Sequence, residues 1–148
     1  MSLELDIQNG IKAAMLAKEK VKLEALRGIK AAILLAKTAD GSESISDDAV
    51  LKIIQKLVKQ RKESAELYKA QNRPELAENE LAEASYMEVF LPKQLTEEEL
   101  AAELKKIIEA VGAKGPQDMG KVMGTATKQL MGKADGKAIS AMVKQLLA

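Results

Sequence analysis

Neither cysteine nor histidine occurs in the 148 residues of this chain. Without thiols there can be no disulfide framework, thiolate nucleophile or thiolate metal site, and the composition suits a reducing cytoplasm. Without imidazole the commonest general base and the commonest metal ligand are also missing, so any chemistry would rest on carboxylates, lysines, tyrosines or hydroxyls. Tryptophan is absent and aromatics make up 2% of the residues. The core must then be built from Leu, Ile, Val, Ala and seven Met, a palette that favours interlocking helices over packed sheets. Long apolar runs are missing too. Ala31-Ala32-Ile33-Leu34-Leu35-Ala36 falls far short of the roughly 20 residues that span a bilayer. The start, Met1-Ser2-Leu3-Glu4-Leu5-Asp6, has acids where a signal peptide has a basic region and an apolar core. The expectation is a cytoplasmic protein outside the membrane.

Hydrophobic residues make up 47% of the chain, enough for one compact domain or two small helical subdomains. The net charge of +1 argues against a generic, charge-driven nucleic-acid binder, but the charge is unevenly placed. Residues 1–73 carry 14 basic and 10 acidic groups, residues 74–113 carry 3 and 10, and residues 114–148 carry 6 and 2. Two basic ends flank an acidic middle.

At about 100° per residue the apolar positions gather on one face of most segments, which predicts an all-α protein of about seven helices. The first two cover about 3–18 and 20–37, or join as one through Lys18-Glu19-Lys20. Residues 39–44 read as a loop. Ser46 caps a third helix running to about Ala70, with Asp47 and Asp48 in its first turn. Pro74 opens a fourth, ending near Phe90. Leu91-Pro92 predicts a subdomain junction, because the residue before proline is pushed out of the helical region. Thr96-Glu97-Glu98-Glu99 is a capping-box pattern, and its helix stops at Gly112. A sixth helix starts at Gly115-Pro116, and Gly132-Lys133-Ala134-Asp135-Gly136 separates it from a seventh. The expected architecture is an amino-terminal helical bundle, residues 1–91, followed by a small three-helix unit, residues 92–148.

Five constellations are weighed for a functional reading. Arg61 projects within the apolar face of the third helix and Glu80 within that of the fourth, which predicts antiparallel packing and a buried ion pair. Lys52, Lys56, Lys59 and Lys62 form a basic strip that either meets phosphates or is a solvated face. No aromatic is interleaved for base stacking, so backbone and shape would be what is recognised. Gly120 and Gly124 lie one turn apart on the sixth helix, at a cost of roughly 1 kcal/mol for each interior glycine. Either another helix packs tightly there, or RNA or a partner lies against the bare backbone beside Lys121 and Lys128. Thr125-Ala126-Thr127-Lys128 has a Ser-x-x-Lys-like spacing but none of the supporting motifs. Glu97-Glu98-Glu99 is explained by capping. No catalytic residue, metal ligand or cofactor site is identified.

The strings Leu26-Arg27-Gly28-Ile29-Lys30-Ala31-Ala32-Ile33, Lys59-Gln60-Arg61-Lys62-Glu63-Ser64, Leu91-Pro92-Lys93-Gln94-Leu95, Asp118-Met119-Gly120-Lys121-Val122-Met123-Gly124 and Ala134-Asp135-Gly136-Lys137 occur in an order that resembles the GatB/YqeY family across essentially the whole chain. That family includes the tail domain of the GatB component of the tRNA-dependent amidotransferase. The resemblance implies an all-helical two-part fold. It implies a non-catalytic tRNA-handling module, with tRNA and amidotransferase or synthetase components as partners. A family label of carbon–nitrogen ligase with glutamine as amido-nitrogen donor would describe the complex, whose chemistry lies in other parts. By the same match Lys121 and Lys137 face RNA, and Lys128 and Lys133, with Gly120, Gly124 and the Asp135-Gly136 turn, complete the expected surface. The alternative is a protein-interaction adaptor without RNA contact.

Overall fold

The computed structural model describes residues 2–148. They form seven α-helices and one short 3-10 turn, and no strand occurs among them. By the distribution of its contacts the chain divides into two compact units, Met1–Leu91 and Pro92–Ala148.

The first unit contains α1 (Leu3–Ala17), α2 (Lys20–Asp40), α3 (Asp47–Ala70) and α4 (Pro74–Glu88). Ser2 starts α1 by accepting a hydrogen bond from the Leu5 amide at 3.1 Å. The first two helices are separate. Lys18 turns left-handed at φ 58° and its amide is taken by the carbonyls of Ala14 and Met15, which stops α1 before α2 begins. Residues 39 and 40, expected in a loop, belong to the last turn of α2. The stop comes only at Gly41, whose φ of 65° suits a residue without Cβ and lets its amide reach the carbonyls of Lys37 and Thr38. Ala39 and Asp40 carry no stop signal of their own. Ser46 Oγ accepts from the Ala49 amide at 3.2 Å to open α3. Asn72, at φ 60°, turns the chain into α4, where Pro74 occupies the first turn. The core is formed by Ile7, Ile11, Leu26, Ile29, Ile33, Val50, Ile54 and Met87 with their neighbours.

Three helices meet around Arg61. Its Nε lies 4.0 Å from Glu80 Oε2 and 4.0 Å from Glu83 Oε1. Lys62 Nζ pairs with Glu88 at 2.6 Å. The tight turn at Asn72 that joins α3 to α4 folds the two helices back on each other, so they run antiparallel. The expected burial is corrected. The side chains of Arg61 and Glu80 remain 24% and 21% exposed, because α3 and α4 meet at the rim of the core and both long side chains reach toward water. At 4.0 Å the contact is an ion pair, longer than a hydrogen bond. Glu83, which sequence reasoning missed, is the more enclosed carboxylate at 13% exposed. Gly28 on α2 completes the arrangement. A Cβ there would stand 3.3 Å from Nη2 of Arg61, so its lack of a side chain admits the guanidinium.

Burial raises the Glu83 carboxyl above its ordinary value; Arg61 opposes the shift, and Glu80 and Glu24 add to it. The folded state therefore binds this proton more tightly than the unfolded chain does. The stabilisation is fully present below the ordinary carboxylate range and lost as pH rises through the raised value. The melting temperature of the wild type, less that of Glu83→Gln, should accordingly rise as pH falls from neutrality toward about 4.5. A difference that is flat or falls over that range would contradict the assignment.

The second unit contains α5 (Glu97–Val111), α6 (Met119–Gln129) and α7 (Gly136–Leu147). The capping box closes in both directions: the Glu99 amide donates to Thr96 Oγ1 at 3.1 Å and the Thr96 amide to Glu99 Oε1 at 3.3 Å. Gly112, at φ 71°, ends α5. Residues 116–118 form a 3-10 turn before α6 rather than its first α-helical turn. Asp118 holds that turn by accepting from the Lys114 amide at 2.9 Å. The segment entering α5 is tied to the α6–α7 connection. The Leu95 amide donates to the Lys133 carbonyl at 2.9 Å, and Gln94 Nε2 donates to the Gly132 carbonyl at 2.6 Å. Leu100, Leu104, Ile107, Val122, Ala126, Leu130, Ile139, Val143 and Leu147 fill the core.

Candidate nucleic-acid interface

The apolar residues of α6 settle its orientation. Val122 and Ala126 are buried, and Met119 and Met123 pack partly against the same core. The opposite side faces water. Gly120, Lys121, Gly124 and Lys128 are all exposed, and at about 100° per residue they fall within an arc of about 100°. A Cβ added at either glycine would meet nothing within 4 Å. Tight packing against another helix therefore does not explain the pair. The Gly124 backbone lies open between two cations.

This geometry fixes the effect of filling the gap. Gly124 is interior to α6, so Gly124→Ala should stabilise the protein by about 1 kcal/mol through helix propensity alone. Gly120, in the first turn, should gain less. Thermal denaturation checks both. Destabilisation by Gly124→Ala would show that something packs on this flank.

Lys133 lies exposed in the α6–α7 connection and Lys137 in the first turn of α7. Helices usually place carboxylates in the first turn, as α1, α3 and α5 do with Glu4 and Asp6, Asp47 and Asp48, and Glu97 to Glu99. The first turns of α6 and α7, like that of α2, contain no acid, and they carry Lys121 and Lys137 instead. Asp135 precedes α7 but its side chain makes no capping bond to it. Cations beside the positive end of a helix raise the local potential and suit an anionic ligand. Lys128 has an ordinary structural reason as well, since it complements the negative end of α6. No salt bridge to Lys121, Lys128, Lys133 or Lys137 is found among the described residues.

The chain belongs to the YqeY family. The family described as "Yqey-like protein" matches residues 4–147. Among curated relatives, the mitochondrial protein named "Altered inheritance of mitochondria protein 41" of Saccharomyces cerevisiae is 25% identical over 135 residues, covering 90% of this chain and 70% of the relative. Its namesake in Pyrenophora tritici-repentis is 29% identical over 145 residues, covering 95% of this chain and 78% of the relative. A shorter match, 38% identical over 85 residues, joins 57% of this chain to 44% of the Meyerozyma guilliermondii protein of that name. Neither the family description nor these names states a catalytic activity.

The other sequence candidates come out less favourably. The strip on α3 is broken up: Lys52 and Lys56 are exposed, Lys59 is half-buried, and Lys62 pairs with Glu88. The Thr125 hydroxyl points back to the Lys121 carbonyl, 3.5 Å away, which suits a helix hydroxyl and not a nucleophile. No group of three or more potential metal-ligating side chains is found among the described residues. No helix among them is long and apolar enough to cross a membrane.

Proposed function

We propose that this YqeY-family chain is a non-catalytic tRNA-handling module that receives the RNA backbone on the carboxy-terminal unit. The observation that carries the reading is the open flank of α6, where bare backbone at Gly120 and Gly124 lies beside Lys121 and Lys128 with nothing packed on it. Lys133 and Lys137 extend the positive surface. Such a site holds phosphates by the charge of its lysines, lets the RNA backbone come close where no side chain stands, and reads shape rather than bases. Binding would be moderate and salt-sensitive. The proposal places the module in the cytoplasm, with amidotransferase or synthetase components as the assemblies served.

Gly124→Leu tests the use of the flank. The leucine has open space, so helicity and melting should be retained, while tRNA affinity should fall because the side chain blocks close approach. Undiminished affinity in a folded variant would place any RNA contact elsewhere.

A further inference from the structure

The large apolar side chains left exposed among the described residues all belong to the amino-terminal unit. Two of them, Leu34 at 64% and Leu35 at 72% exposed, are neighbours on α2. Ala31, also exposed, lies between them on the helical wheel, so the three form one apolar patch. Leu34 also lines a shallow groove between α1 and α2, together with Ile7, Gln8, Ile33, Lys30 and Lys37. Arg27 and Lys30 are exposed on the same face of α2, one to two turns toward its amino terminus. Lys37 at the other end of the groove is already engaged by Glu4. The face is thus apolar around Leu34 and Leu35 and basic toward the start of α2, where the exposed Lys20, Arg27 and Lys30 outnumber Glu24.

We infer that this α2 face is a docking site for an acidic amphipathic helix of a protein partner. Such a helix places leucine-like anchors against Leu34, Leu35 and the groove, and its flanking carboxylates against Arg27 and Lys30. Charge complementarity selects this occupant. A second copy docked in parallel would set Arg27 and Lys30 of one chain against those of the other, and one docked antiparallel about the leucines would set them opposite residues 39–42, where the one carboxylate, Asp40, lies on the far side of α2. RNA would pair with the cations but gain nothing from two leucines, and no aromatic lies on this face to stack a base. The site draws only on residues of the amino-terminal unit.

The test uses the full chain and a fluorescent synthetic helix of about 18 residues, five turns, with leucine on one stripe and glutamate on its flanks. A counterpart carries lysine in place of glutamate. The expected result is saturable binding of the acidic peptide that exceeds that of the lysine peptide by at least about tenfold. Leu34→Ser/Leu35→Ser and, separately, Arg27→Glu/Lys30→Glu should each weaken it by about tenfold or more with helicity unchanged. Equal binding of both peptides, no binding of either, or insensitivity to the leucine substitutions overturns the proposal. So does sedimentation showing a dimer that Leu34→Ser/Leu35→Ser dissolves, since the occupant would then be a second copy.

Discussion

Reversing charge at two lysines together, as Lys121→Glu/Lys137→Glu, is expected to weaken tRNA binding by about a hundredfold at low salt and to do so for many tRNA sequences alike. Each lysine that contacts a phosphate contributes by releasing a counterion, so losing two contacts should flatten the salt slope by about two units. Both residues are exposed and carry no ion pair among the described residues. They also sit in the first turns of α6 and α7, where a carboxylate suits the helix dipole better than an ammonium. The double variant should therefore fold at least as stably as the wild type. That separates the loss of binding from a loss of structure. Retained affinity in the folded variant would remove these lysines from the interface.

Arg61→Met is expected to have the largest effect on stability outside the core. It leaves Glu80 and Glu83 facing each other, 21% and 13% exposed, without their shared cation. Exposed pairs contribute about 1 kcal/mol or less, and removing one member of a buried pair costs about 3–5 kcal/mol. This half-enclosed site should fall between, at about 2 kcal/mol in urea denaturation. The penalty should shrink as pH falls into the carboxylate range, because protonation relieves the repulsion that Arg61 now offsets. Adding Glu83→Gln should likewise recover part of it. A loss that is independent of pH would trace instead to packing of the arginine stem.

The local signals in the sequence account for most of the fold. Ser46, Pro74, Thr96 with Glu99, and Gly112 are each a cap or stop whose chemistry lies within a few residues, and each acts where its pattern indicates. The end of α2 is less legible, since Ala39-Asp40 is compatible with helix or loop and Gly41 alone decides it. At Arg61 the helical period brings the right residues to the right helices, but the degree of burial and the roles of Glu83 and Gly28 depend on how α2, α3 and α4 approach one another. No single-helix pattern carries that information. For the same reason the glycines of α6 allow two opposite readings from sequence, and only the empty space beside them decides between the two. Leu34 and Leu35 have a visible signal in the six-residue apolar run, which is too wide for one buried face of a helix.

The most direct measurement is a mobility-shift titration of total tRNA against the full chain at several salt concentrations. Saturable binding is expected, with log K falling linearly as log salt rises and a slope of about −2 to −4, as the release of a few phosphate counterions requires. No binding at low salt, or an affinity that does not respond to salt, would contradict an RNA-backbone interface on this protein.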